Sequence, residues 1–235
     1  MRIDLNADLG ESVERWASGE DVALLDIVTS ANISCGAHAG DDELLSATSA
    51  ICVERGVAIG AQVSYPDREG FGRRPMEMEF DALHDEVAEQ IAHLADLARA
   101  VDGRVTYVKP HGALYNTIVQ HEVQAAAVVE AVRAAGLPLV GLPTASSLQL
   151  AEAAGVPVLR EGFADRGYRD DGTLIPRSEP GALLHDPRDA AIQAVRLLHE
   201  GVDSICVHSD SPGALDIVRA VRVALEHAGA EVRHP

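Results

Sequence analysis

Ten histidines and thirty-seven acids are spread along 235 residues, but a small subset falls at positions where side chains can cooperate. Asn6 and Asp8 end the first apolar run. His38 and Asp41 sit among glycines in CGAHAGD. Lys109 and His111 flank a proline in VKPHG, with Tyr115 and Asn116 just beyond. Asp165 and Arg166 follow Glu161, and His208 and Asp210 repeat an i, i+2 spacing. Residues two apart at a strand end face the same way, so Lys109 and His111 form one pair and His208 and Asp210 another. Glycines beside His38 permit close backbone approach. Arg73 and Arg74 in GFGRR could grip a carboxylate or phosphate bidentately, or could pair with surface acids. Tyr65, Phe71, Tyr115 and Tyr168 place aromatic rings in the same segments. Histidines and carboxylates converging on one opening suit general acid–base hydrolysis, or hydrolysis assisted by a divalent metal held by Asp8, His38, His111 and His208. A non-catalytic binding protein without turnover is a third reading. No Gly-x-Ser-x-Gly elbow occurs.

Convergence requires elements that bring distant positions together. Short β-branched runs at 2–5, 31–35, 57–61, 105–108, 139–142, 156–159 and 204–207 read as strands. Between them lie helical patterns at 43–55, 80–100, 122–135, 145–154, 187–200 and 212–228. Gly56, Gly136, Gly155 and Gly201 stop helices, and Asp186 and Ser211 precede prolines as N-caps. Seven β-α repeats imply a mostly parallel sheet. No dinucleotide or P-loop fingerprint appears. The expectation is therefore one domain over residues 1–235, an irregular seven-stranded (β/α)7 TIM-like barrel. Its polar clusters would then follow the strands at one mouth, as in parallel α/β folds generally.

Composition narrows the partners. Nineteen basic residues against thirty-seven acidic ones give a net charge of −18, which argues against nucleic acid and against an anionic membrane surface. Lys109 is the sole lysine. Three cysteines without paired spacing fit a reducing compartment. No secretory leader or membrane span is read, so a cytoplasmic protein is expected.

Several segments resemble the LamB/YcsF family, that of the A component of ATP-hydrolysing 5-oxoprolinase. They are IDLNADLGE (3–11), SANISCGAHAGD (30–41), ERGVAIGA (54–61), VKPHGALYN (108–116), FADRGY (163–168), DGTLIPRSEPGA (171–182) and CVHSDSPGA (206–214), with YPD and GFGRR between 65 and 74. The likeness runs nearly end to end in one order. It implies a barrel akin to the glycoside hydrolase/deacetylase superfamily, cleavage of 5-oxo-L-proline to L-glutamate with ATP as co-substrate, and partner subunits B and C. Self-association as a homo-oligomer is compatible with it. Where the family commonly has a histidine after the third strand, this chain has Gln62. The implied catalytic set is Asp8, His38, His111 and Asp210, acting on the lactam and on water. Lys109 with Arg73 or Arg74 would meet the carboxylate or phosphate. Asn6, Asp41, Tyr65, Tyr115, Asp165, Arg166 and His208 would complete the substrate site, with backbone N–H groups at 211–213 as further anion donors.

Overall fold

The computed structural model describes residues 1–210 and 213–234. In chain order the elements are β1 (Arg2–Leu9), α1 (Val13–Ser18), α2 (Glu20–Leu25), β2 (Ser30–Ser34), α3 (Asp42–Arg55), β3 (Ala58–Val63), α4 (Phe80–Ala100), β4 (Val105–Pro110), α5 (Gly112–Thr117), α6 (Glu122–Ala135), β5 (Leu139–Gly141), α7 (Ser146–Ala153), β6 (Val158–Phe163), α8 (Pro187–Glu200), β7 (Ser204–Cys206), α9 (Ala214–His227) and β8 (Glu231–Val232). The seven strands β1–β7 are parallel. They close because β1 pairs with both β7 and β2, while β8 pairs only with the start of β1. The expected seven-stranded α/β barrel is present. The short strand β8 and the short helices α1, α2 and α5 are additions that periodicity does not reveal, because two to six residues carry too little pattern.

Strand residues alternate between two environments. Ile3, Leu5, Ala7 and Leu9, with Ile33, Ala61, Val63, Val108 and Ile205, belong to the apolar layer that also holds Leu83, Val87 and Leu94 of α4 and Leu197 of α8. The opposite set is polar: Asp4, Asn6 and Asp8 of β1, Ser30, Asn32 and Ser34 of β2, Gln62 of β3, Lys109 of β4, Glu161 of β6 and Ser204 of β7 are all buried. Barrels of this kind usually fill that space with bulky branched side chains. Here it is a hydrogen-bonded lattice. Lys109 Nζ lies 2.7 Å from Glu161 Oε1 and 3.6 Å from Asp8 Oδ1, and donates to Asn6 Oδ1 at 3.1 Å. Asn6 donates to Glu161 and Ser204, and Asn32 to Asn6 and Asp8. Lower down, Ser30 and Thr29 donate to Asp4.

This polarity displaces the strand ends relative to the sequence reading. Asn6, Asp8, Gln62, Lys109 and Glu161 lie within strands rather than after them, and β6 begins at Val158 instead of Val156. Gly60 is required at its place: a Cβ there would stand 2.1 Å from the Tyr107 ring, which crosses the interior to donate to Asn32. Gly56, Gly136 and Gly201 take left-handed cap conformations, and Asp186 caps α8. Ser211 and Pro212 lie outside the described residues. The described N-cap of α9 is Gly213. All three cysteines are free and buried. Among the described residues no helix is long and apolar enough to cross a membrane.

Two outcomes follow for stability. Lys109→Met leaves Glu161 buried without its cation, and urea unfolding should show a loss of about 3–5 kcal/mol, partly recovered when Glu161→Gln is added. Gly60→Ala forces the Tyr107 ring to move and should cost about 1–3 kcal/mol in the same assay.

Candidate active site

Above the lattice, at the C-terminal ends of the strands, lies a cavity of about 180 Å³. At ~30 Å³ per water that is room for roughly six waters, the scale of a single small ring with substituents. Asp8 and Lys109 form its floor. Its walls include His111, Tyr115, Phe163 and His208, and its rim carries Arg73, Arg166 and Arg177.

The floor is electrostatically committed. Burial opposes the charge on Lys109, but Cys206, Glu161 and Asp8 outweigh it and hold its pKa well above the ordinary lysine value. Burial also pushes the Cys206 thiol up and keeps it neutral at ordinary pH, so the two carboxylates carry that stabilisation. Asp8 is affected conversely: burial raises its pKa, yet the Lys109 ammonium, with the hydrogen bond from Asn32, brings it below the usual carboxylate range. Asp8 is therefore a fixed anion and Lys109 a fixed cation at neutral pH.

One wall holds a histidine–carboxylate dyad. His208 Nδ1 lies 3.0 and 3.1 Å from the two oxygens of Asp165, whose Oδ2 also accepts from the His208 backbone N–H. A carboxylate only accepts, so Nδ1 carries a proton toward Asp165 and Nε2 is the ring nitrogen left for proton transfer. The ring stacks on Phe163, centroids 5.3 Å apart. Tyr115 donates to Glu161 Oε2 and meets Phe163 edge-on.

The rim is a set of guanidiniums with one acid. Asp210 is exposed and pairs with Arg73 and, at 3.6 Å, with Arg177. Arg166 is only 5% exposed and donates to the carbonyls of Ala182 and Ile175. Among the described residues no carboxylate lies within 4.0 Å of it. Burial, then the nearby Arg177, lower its pKa, which marks a cation lacking an anion.

Opposite the dyad, His111 stacks on His38 with centroids 4.0 Å apart and planes 7° from parallel. Phe71 sets its edge against both rings, and its carbonyl accepts from His111 Nε2 at 3.1 Å. Phe71 adopts φ +56°, a conformation that costs a non-glycine residue about 1–3 kcal/mol and clusters at functional sites. Burial, followed by His38, lowers the His111 pKa well below the usual histidine value, so His111 is neutral. Gly72 allows the contact, since a Cβ there would press on both histidines at 3.1 Å.

The residues expected from sequence separate into three groups. Asp8, Lys109, His111, Tyr115, Arg73, Arg166 and His208 line the cavity. Asn6, His38 and Asp165 stand directly behind it, and Asp210 joins it through the arginines. Asp41, Tyr65 and Arg74 do not belong. Asp41 is exposed and caps α3 through Leu44 N–H. Tyr65 is fully buried in the apolar layer with its hydroxyl on Gln124. Arg74 is held by Asp67 and Glu69. The conditional metal set also changes. His208 is turned to Asp165 and Asp8 to Lys109 and Asn32, and the described group whose ligand atoms lie together is Glu11, His38 and His111. Sequence reasoning does not single out Glu11, Glu161 as the partner of Lys109, or Arg177. Glu11 and Arg177 both lie inside the motifs that carry the family resemblance, and that position is the one signal pointing to them.

The family model described as the LamB/YcsF family matches residues 3–235. The A component of 5-oxoprolinase from Streptomyces avermitilis is 49% identical, with 98% of each chain covered. A lactam utilization protein from Thermus thermophilus, solved by crystallography, is 39% identical, with a TM-score of 0.92 over the whole of both chains. A family 4 carbohydrate esterase from Streptomyces lividans shares only the fold, at 13% identity and a TM-score of 0.55 over 98% of this chain and 91% of that one. On the match along nearly its full length, this chain belongs to the LamB/YcsF family.

Proposed function

We propose that this chain is the A component of an ATP-hydrolysing 5-oxoprolinase, opening 5-oxo-L-proline to L-glutamate in a complex with subunits B and C. The observation that carries the reading is the cavity itself: one ring in size, with a buried arginine lacking a counter-ion at its rim and a histidine–carboxylate dyad on its wall. The 5-oxoprolinase relative and the lactam utilization neighbour support the same substrate class.

5-Oxoproline carries a carboxylate on a five-membered lactam. Arg166, with Arg177 beside it, takes the carboxylate, since a guanidinium fork matches that geometry. The lactam ring lies against Phe163 and Tyr115. An amide in an unstrained ring is a poor electrophile, so phosphoryl transfer from ATP to its oxygen converts the carbonyl carbon into a reactive centre. His208 Nε2 then takes a proton from attacking water, and Asp165 stabilises the imidazolium that forms. The imidazolium returns that proton to the ring nitrogen as the C–N bond breaks, which frees the amine, opens the ring and leaves an acyl phosphate; a second water hydrolyses it to glutamate and inorganic phosphate. Asp8, being ionised throughout, does not shuttle this proton. It orients the lactam N–H and, with Lys109, sets the field on the cavity floor. ATP enters from the rim, shared with the partner subunits, where Arg73 offers further positive charge. The protein works in the cytoplasm, in keeping with its three free cysteines.

Glutamate and ADP release by the reconstituted three-subunit complex tests this. His208→Asn and Asp165→Asn should each reduce kcat by about 10²–10⁴-fold. Arg166→Lys should instead raise KM for 5-oxoproline by about 10–100-fold with a smaller change in kcat, since one charged hydrogen bond is worth about 1.5–3 kcal/mol. Wild-type kinetics in the His208 variant would end the assignment.

A further inference from the structure

The stacked histidines have no place in that sequence of proton transfers, yet their nitrogens are aimed with care. One oxygen of Glu11, Nε2 of His38 and Nδ1 of His111 lie within 4.8 Å of one another. The Glu11 side chain is 7% exposed, His38 1% and His111 6%.

Hydrogen bonding fixes where the ring protons are. Ser64 Oγ donates its single proton to the Tyr65 carbonyl at 2.9 Å, so toward His38 Nδ1, 2.8 Å away, it must accept. The Phe71 carbonyl only accepts, so His111 Nε2 carries the proton there. The other two ring nitrogens, His38 Nε2 and His111 Nδ1, stand 3.3 and 3.5 Å from the same Glu11 oxygen. A carboxylate oxygen and two imidazole nitrogens thus converge on one buried point, the arrangement that a shared cation would satisfy.

A second observation points to the same spot. Gln62 is fully buried; its amide nitrogen stands 2.9 Å from His111 Nδ1, while its Oε1 has no hydrogen-bond partner. Turning the amide over would exchange its two ends and present the oxygen to the nitrogen's present position.

We propose that Glu11, His38 and His111, with the amide oxygen of Gln62, form a binding site for one divalent first-row metal ion of the zinc type. Two imidazoles with a carboxylate and no thiolate suit zinc, cobalt or manganese. The far nitrogen of each imidazole is held by a hydroxyl or a backbone carbonyl, as metal-bound histidines require. Ligands on tetrahedral zinc stand about 3.3 Å apart, given bond lengths of about 2.0–2.1 Å. The parallel rings must therefore tilt toward each other on loading. The inference stands apart from the lactam reading, because it concerns metal binding by the chain alone.

The test uses the full-length chain, stripped with a chelator and titrated with Co²⁺, read by visible absorption with Zn²⁺ as competitor. The expected result is one equivalent of Co²⁺ with the intense visible bands of a four-coordinate site, erased by Zn²⁺. Glu11→Gln, which preserves volume, should weaken binding at least tenfold, and His38→Gln should abolish the bands. Ser64→Ala removes only the hydroxyl behind His38 and should weaken binding by about 10–100-fold. Far-UV circular dichroism establishes that each variant is folded. If Glu11→Gln does not fold, Ser64→Ala decides. Absence of the bands in the wild-type chain, or unchanged affinity in the folded variants, overturns the proposal.

Discussion

A lysine ammonium buried in the middle of a barrel dictates much of what surrounds it. Removed from water, an unmatched ammonium would lose several kcal/mol of solvation. Lys109 is matched by Glu161 at 2.7 Å and by the more distant Asp8. Those acids require donors in turn, which Asn6, Asn32 and Tyr115 supply. Every added polar group obliges its neighbour to be polar. The interior consequently reads as a hydrogen-bond lattice from Asp4 at the bottom to Asp8 at the top, with few adjustable parts. Such a floor resists rearrangement, and the groups above it inherit fixed positions.

The same lattice explains what is legible in the sequence. Outward-facing strand residues are ordinary aliphatics packed on helices, so the alternation of β and α, the closed barrel and the long helices α4, α6 and α8 can all be read from periodicity and caps. Strand ends cannot. Asn6, Asp8, Gln62, Lys109 and Glu161 are polar for the sake of the interior, yet a polar residue after an apolar run reads as the beginning of a loop. Misplacing these residues by one environment still puts them at the correct end of the barrel, which is why seven of the expected site residues line one cavity.

What local spacing hides is pairing. Asp165 and His208 are 43 positions apart and Arg73 and Asp210 are 137 apart. Nothing in the neighbouring residues says that His208 turns to Asp165 rather than to Asp210 two residues on. Likewise Tyr65 has the look of a mouth aromatic, but its strand phase sends it outward to Gln124. Asp41 has the composition of a site residue and the position of a helix cap, and the cap prevails because Leu44 N–H needs an acceptor. Family likeness identifies the motifs that matter without dividing the work among their residues.

The rim has a bearing on how the cavity chooses its occupant. Arg73 and Arg177 come from different loops and share the carboxylate of Asp210. At this outer pair an arriving anion does not meet naked positive charge; it competes with a carboxylate already in residence before it reaches Arg166. The entrance behaves like an ion-exchange resin, in which one acid displaces another of similar charge and the net gain is small. Discrimination then depends on fit against the deeper arginine and the aromatic wall, and common salts, able to make the same exchange, gain little by entering.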